Sequence, residues 1–175
     1  LRAILMPLSG NLGIRAMGKT IEAIDEALAR WLEAQPVFFV ASAPLAADGL
    51  VNCSPKGGGL RVLGPREVAY ADGSGSGIET VAHVRENGRL VLMCCAFEGA
   101  PRIVRLHGRA EVHAPSSSDF EALLARVAPQ GLPTVRSIVR LEVRRIADSC
   151  GYGVPKMAFQ EARRDGQAWL AKSSD

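Results

Sequence analysis

Apolar and polar residues alternate along much of the chain, and this pattern predicts a protein built mainly from short β-strands. The alternation is clearest at 104–113 and 139–144, where, apart from Gly108, valine, leucine and alanine take every second position and charged residues or histidine take the others. One buried and one solvated face is typical of an antiparallel sheet. Shorter β-branched and aromatic runs between turn residues predict further strands at 37–43, 49–54, 60–63, 67–71 and 89–97.

A helical period replaces the alternation in a few places. From Thr20 onward, apolar residues recur at spacings of three, four and seven, and Pro36 ends the pattern. Three further helices are predicted to begin near Ile78 or Glu79, after a hydroxyl cap at Ser117 or Ser118, and, more weakly, at Pro155.

Strands outnumber helices and do not alternate strictly with them, which disfavours a doubly wound parallel sheet. The better fold class is mainly β (α+β), a small antiparallel barrel with flanking helices. No internal repeat or linker divides the chain, so we expect one domain over residues 17–175. We expect residues 1–16 to be an N-terminal extension that is loosely held or disordered.

Composition and charge exclude several classes of function. The net charge is only +3 and no basic block occurs, so we expect no nucleic-acid partner. The apolar N-terminal patch is short and interrupted, which argues against a membrane span or an export signal. The four cysteines show no CxxC spacing and the three histidines no metal-ligand spacing. Reduced thiols in a cytoplasmic protein without a metal site are therefore expected.

A glycine and serine run, GSGSG at 73–77, is the first candidate for chemistry. It lies between a predicted strand and a predicted helix. An anion could therefore be bound by its backbone amides, including that of Gly75, and by the hydroxyls of Ser74 and Ser76. A flexible corner is the competing interpretation, because the run is not a Walker motif and the acidic Asp72 and Glu79 flank it.

Two more glycine-rich turns add candidates. In NCSPKGGG at 52–59, Lys56 and Ser54 supply the cation and hydroxyl that a phosphate needs, although an exposed turn lysine explains the segment equally well. In SCGYGVP at 149–155, Tyr152 either closes a tight turn or lies against a flat ligand.

Together, the segments VFFVASAPL, VNCSPKG, GSGSGIETVAHVRENGR, RIVRLHGRAEV and CGYGVP resemble the pyridoxamine 5'-phosphate oxidase-like, FMN-binding split-barrel proteins. The resemblance covers about Thr20 to Pro155. It implies a six-stranded split β-barrel that forms a homodimer, with FMN bound at the interface between subunits.

The resemblance also implies which residues hold FMN. Lys56 matches the family's phosphate-binding lysine and Tyr70 its aromatic residue at the end of the next strand. The hydroxyl loop corresponds to Ser74, Ser76 and Thr80, and the family's arginine-rich strand begins at Arg102. The implied cofactor-binding residues are Ser54, Lys56, Tyr70, Asp72, Ser74, Gly75, Ser76, Thr80, Arg102 and Tyr152.

Departures from the family pattern exclude one of the functions that the resemblance would otherwise imply. Family phosphate partners are replaced by Val51 and by the pair Glu79-Thr80, and a flavin-contacting glutamine by Ile103. The C-terminal signature that holds pyridoxal phosphate is absent, so true pyridoxamine phosphate oxidase activity is not expected. The resemblance implies an FMN-dependent oxidoreductase acting on an unknown small molecule. The alternatives are a non-catalytic flavin carrier or redox sensor, and the same barrel using deazaflavin or haem.

Overall fold

A computed structural model describes residues 18–73, 78–127 and 135–163, and these residues form eight strands and three helices. The strands are β1 (Gly18–Ile21), β2 (Phe38–Ser42), β3 (Asn52–Lys56), β4 (Arg61–Gly64), β5 (Glu67–Gly73), β6 (Arg89–Cys95), β7 (Ile103–His113) and β8 (Val135–Ser149). The helices are α1 (Glu26–Glu33), α2 (Glu79–Asn87) and α3 (Phe120–Val127). The expected extension, residues 1–16, lies outside the described residues.

All eight strands belong to one antiparallel sheet with the order β3-β2-β6-β7-β8-β5-β4, and β1 pairs with β8 outside this path. The predicted mainly β, antiparallel architecture is confirmed, with eight strands rather than six. Six strands are neighbours in the order β3-β2-β6-β7-β8-β5. In addition, β4 pairs with β5, and β1 pairs with β8. Among the described residues the sheet does not close through backbone hydrogen bonds, and β3 and β4 are its two ends.

The helix predicted from Thr20 begins later than expected. Gly18–Ile21 pairs with β8, and the helix starts only at Glu26, where the Asp25 side chain accepts a 2.7 Å hydrogen bond from the backbone N of Leu28. Such a bond satisfies one of the free amides of a helix N-terminus and fixes where the helix starts. The predicted boundary was wrong because Ile21 and Ile24 enter the same core at a spacing that also fits a helix.

The helix predicted after the glycine and serine run is confirmed as α2. It ends at Gly88, whose φ of 69° lies in the left-handed region that terminates helices and suits glycine. The helix predicted from Pro155 is not formed in the described part of that segment, because residues 155–163 have no regular secondary structure.

The concave side of the sheet encloses the main hydrophobic core. Phe38 and Tyr70 are among its largest fully buried side chains, and their rings meet edge to face with centroids 5.4 Å apart. Helix α1 contributes Leu28 and Leu32 to this core, and α3 covers a second cluster outside β5 and β8. β7 and β8 approach closely at Gly108, where a Cβ would lie 1.9 Å from the carbonyl oxygen of Glu142.

Candidate functional site

Strand β3 presents three polar side chains toward the concave side of the sheet. Lys56 pairs with Phe38 of β2, a core residue, and alternation places Ser54 and Asn52 on the same face as Lys56. The side chains between them point the other way, and Cys53 is exposed. The edge strand thus lines one wall of the barrel with an amide, a hydroxyl and an ammonium group.

Lys56 connects this wall to β5, on the far side of the sheet's opening. Its Nζ lies 2.6 Å from Oδ1 of Asp72. Tracing the paired residues across β2, β6 and β7 leads from Lys56 to Asp148, near the C-terminal end of β8. Asp72, which Lys56 contacts, pairs instead with Ser137, near the N-terminal end of β8. The sheet is therefore strongly coiled and staggered, as closure into a barrel requires.

Asp72 is a buried carboxylate, only 4% exposed, held between two cations. Besides the bond from Lys56, its Oδ2 accepts a 2.6 Å hydrogen bond from Nη2 of Arg136 on β8. A buried charge is tolerated when it is paired and hydrogen-bonded, and both carboxylate oxygens meet that condition here.

Tyr70 lies two positions before Asp72 on the same face of β5 and beneath Lys56, whose Nζ is 5.8 Å from the ring centroid. Its hydroxyl is buried and has no hydrogen-bond partner among the residues that the structure describes. Burial, reinforced by the Asp72 charge, raises the pKa of this phenol, so it stays protonated at neutral pH. A buried donor of this kind is ready for an acceptor from a ligand.

The N-terminal turn of α2 completes the cluster. Thr80 is buried, and its Oγ1 accepts a 2.8 Å hydrogen bond from Nδ2 of Asn52. The Oγ of Ser54 donates to Oδ1 of the same amide over 3.3 Å. We call these residues, Asn52, Ser54, Lys56, Tyr70, Asp72, Thr80 and Arg136, the seam cluster.

The structure brings together five of the residues that the sequence singled out: Ser54, Lys56, Tyr70, Asp72 and Thr80. Ser74, Gly75 and Ser76 lie outside the described residues. Sequence reasoning missed Asn52 and Arg136. Asn52 could have been found, since it lies at every second position with Ser54 and Lys56 and so shares their face of the strand. Arg136 precedes the strand predicted at 139–144, and no pattern in the sequence connects it to the site.

Arg102 and Tyr152 lie elsewhere. Arg102 donates to Oδ2 of Asp148 at 2.7 Å, and its guanidinium carbon is 4.9 Å from the centroid of the Trp31 ring. It borders a cavity of about 650 Å³ at the C-terminal end of β8. Asp72 pairs with Ser137, near the opposite end of the same strand. Tyr152 is 84% exposed and follows Gly151, which packs against the backbone of Arg102. One chain therefore does not place these two residues beside Lys56.

The described residues contain no cluster of side chains suited to a metal ion, and no described helix is long and apolar enough to cross a membrane. All four cysteines are free; Cys94 and Cys95 are buried, but Cys53 and Cys150 are exposed. Burial, with a smaller contribution from Cys95, raises the pKa of the Cys94 thiol to about 12.

Comparison with protein families gives a match over residues 24–150 to the family model described as pyridoxamine 5'-phosphate oxidase. The match contains β2 to β8, all three helices and the seam cluster. The chain belongs to the pyridoxamine 5'-phosphate oxidase family.

A curated member of this family, ustO from Aspergillus flavus, is 39% identical over 137 residues, which cover 77% of this chain and 55% of that protein. The chain thus spans about half the length of that relative. Among solved structures, HupZ of Group A Streptococcus is similar with a TM-score of 0.58 and 20% identity, over 70% of this chain and 91% of HupZ. A conserved hypothetical protein of Mycobacterium tuberculosis has a TM-score of 0.52 and 19% identity, over 79% of this chain and 93% of its own. At such identities the structural matches show the shared fold.

Proposed function

We propose that this member of the pyridoxamine 5'-phosphate oxidase family binds FMN at the seam cluster and is a flavin-dependent oxidoreductase acting on a small molecule. The observation that carries the proposal is the buried Tyr70 hydroxyl, which lacks a partner among the described residues and belongs to a ring that lies 5.8 Å from the Lys56 ammonium group. Lys56, Ser54 and Asn52 add donors from the facing strand. This set suits an oxygen-rich ligand that enters between β3 and β5.

The side chains that would hold the phosphate of FMN are Lys56, Ser54 and Thr80, together with the hydroxyls of Ser74 and Ser76. An ammonium group forms strong charge-assisted hydrogen bonds with phosphate, and the N-terminal turn of α2 adds the positive end of a helix dipole. Lys56 has three N–H donors and gives one to Asp72, which leaves donors for a ligand. The donor groups of these residues therefore fit the oxygens of a phosphate group.

A bound flavin supplies hydride and electron transfer, and the protein contributes orientation and exclusion of water. Tyr70 would donate its hydroxyl proton in a hydrogen bond without releasing it, since burial keeps the phenol neutral. Asn52 and Thr80 hold each other in place and fix the wall against which the ligand lies. Ile103, in place of a family glutamine, half-buried on β7, offers no polar side-chain contact.

We further propose that the flavin site is completed by a second copy of the chain in a homodimer. Within one chain, Arg102 and Tyr152 lie away from Lys56, so both join the site only from the partner subunit. Four free cysteines agree with a reducing compartment, and the cytoplasm is part of the same proposal.

Tyr70→Phe tests the proposed pocket, because it removes only the hydroxyl. With no partner for that hydroxyl among the described residues, the variant should unfold at the same urea concentration as the wild type or a higher one. Its affinity for FMN, measured by quenching of flavin fluorescence, should fall about tenfold, a typical loss for one buried hydrogen bond. Unchanged affinity would remove Tyr70 from the site.

Mixed dimers test the second copy. Lys56→Ala and Arg102→Ala, each weakened alone, should recover one wild-type site per dimer when co-expressed, because one site then receives both intact residues. If the two residues served the same site from one chain, co-expression would restore nothing. Turnover with a nicotinamide donor then separates an oxidoreductase from a flavin carrier, which would hold its flavin without being reduced.

A further inference from the structure

The seam cluster contains a charge that a phosphate site would not need. Asp72 is buried, and its two oxygens take one hydrogen bond each from Lys56 and Arg136 at 2.6 Å. These are the contacts that a bound phosphate would otherwise make with the same two cations. The carboxylate is therefore placed as an internal counter-anion.

A ligand oxygen that accepts from Lys56 must lie close to Asp72. The two acceptors share one tetrahedral ammonium group, which sets them roughly 4.5 Å apart at ordinary hydrogen-bond lengths. Because the side chain of Lys56 is 23% exposed and that of Asp72 is 5% exposed, water screens that repulsion only weakly. A negative charge on the ligand is thus attracted by Lys56 and repelled by its partner.

The charge balance limits what the pocket accepts. Lys56 and Arg136 together carry two positive charges and Asp72 one negative charge, so the three groups sum to one positive charge. A group with one negative charge neutralises them, and a neutral hydroxyl leaves them unchanged. A dianionic phosphate reverses the sum to one negative charge and brings two further negative charges beside the carboxylate of Asp72, a repulsion that a neutral group does not meet.

We propose that Asp72 is a specificity-determining residue, which makes the seam cluster prefer a ligand group carrying one negative charge or none over a dianionic phosphate. This inference rests on the proposed flavin function and adds to it. The phosphate of FMN then contributes little affinity, and riboflavin binds nearly as well as FMN. The isoalloxazine and ribityl contacts, shared by both ligands, carry most of the binding.

The experiment compares the dissociation constants of FMN and riboflavin for the wild type, Asp72→Asn and Glu79→Gln. Glu79 is the matched control, because its side chain is an exposed carboxylate in the first turn of α2 and changes to an amide of the same shape. The wild type should hold FMN no more than threefold more tightly than riboflavin. Asp72→Asn should raise that ratio at least tenfold, while Glu79→Gln should leave it within twofold.

Each outcome decides the inference. A wild type that prefers FMN over riboflavin by a hundredfold overturns it and leaves the flavin function standing, even if Asp72→Asn fails to fold. A ratio in Asp72→Asn equal to that in Glu79→Gln also overturns it, since simple long-range charge would then explain both. If the wild type binds neither flavin, the proposed function fails and this inference fails with it.

Discussion

Nζ of Lys56 on β3 lies 2.6 Å from Oδ1 of Asp72 on β5, and this ion pair joins two strands that share no backbone hydrogen bonds. The bond spans the opening of the sheet, so it contributes both to the closure of the barrel and to the electrostatics of the seam cluster. Arg136 adds a third charged group from β8. Stability and ligand affinity should therefore respond together when any of the three is changed.

Removal of Asp72 should destabilise the protein more than removal of Lys56. Asp72→Ala leaves Lys56 and Arg136 without their shared carboxylate in a mostly buried position, with an expected cost of about 3 to 5 kcal/mol. Lys56→Met leaves Asp72 bonded to Arg136 and should cost about 1 to 3 kcal/mol. Urea unfolding measures both. The exposed pair of Arg30 and Glu26 is the control, since Arg30→Ala should cost less than about 1 kcal/mol. Equal losses for Asp72→Ala and Arg30→Ala would contradict this account of the ion pair.

Lys56→Ala should weaken FMN more than riboflavin. The variant removes a positive charge that only the phosphate of FMN requires, so we expect FMN affinity to fall about tenfold, as for loss of one charge-assisted hydrogen bond. Riboflavin affinity should change less than threefold. Arg144→Ala, which removes an exposed cation on β8, is the matched control and should change neither. An equal loss of both ligands in Lys56→Ala would show that Lys56 has no phosphate role.

Thr80→Val should destabilise the fold locally at the N-terminus of α2. The substitution keeps the shape of the side chain but leaves Nδ2 of Asn52 without its acceptor, at a cost of about 1 to 3 kcal/mol. Thr20→Val on β1 serves as the control because Thr20 is exposed and the change should be nearly neutral. Thermal unfolding of the two variants gives the comparison. A smaller loss in Thr80→Val than in Thr20→Val would rule out a structural role for the Asn52 bond.

The four thiols should differ sharply in reactivity. Cys53 and Cys150 are exposed and should react with a thiol reagent at pH 8. Cys94 has a pKa of about 12, so almost none of it is thiolate at that pH. It should therefore remain unlabelled until the protein unfolds. Mass spectrometry after timed labelling identifies each site. Rapid labelling of Cys94 in the folded protein would contradict the burial of β6.

Local patterns predicted the sheet and the helices α2 and α3 correctly, because alternation and helix ends depend on neighbouring residues. Gly88 marks the end of α2, and β7 alternates between buried and more exposed residues from Ile103 to Glu111, although its register shifts at Gly108 and His113 is buried. The start of α1 was misjudged because Ile21 and Ile24 satisfy a helical period and a strand followed by a turn equally well. In that case only the pairing of β1 with β8, more than a hundred residues away, decides between the two.

The site was predicted only in part, because some of its contacts join residues that are distant in the sequence. Ser54, Lys56 and Thr80 belong to polar turns and strand ends that the sequence itself marks. From the residues alone Asp72 was a charge that repels phosphate, and the family resemblance placed it among the cofactor-binding residues, but neither predicted that it is the partner of Lys56. That relation arises from the coiling of the whole sheet, and no local pattern contains it. The separation of Arg102 from Lys56 has the same origin.

Visible absorption of the purified protein tests the central claim most directly. The account predicts a yellow protein that releases FMN on denaturation, or a colourless protein that turns yellow and quenches flavin fluorescence when FMN is added at a one-to-one ratio. A colourless protein that neither FMN nor riboflavin can convert would contradict the assignment of the seam cluster as a flavin site.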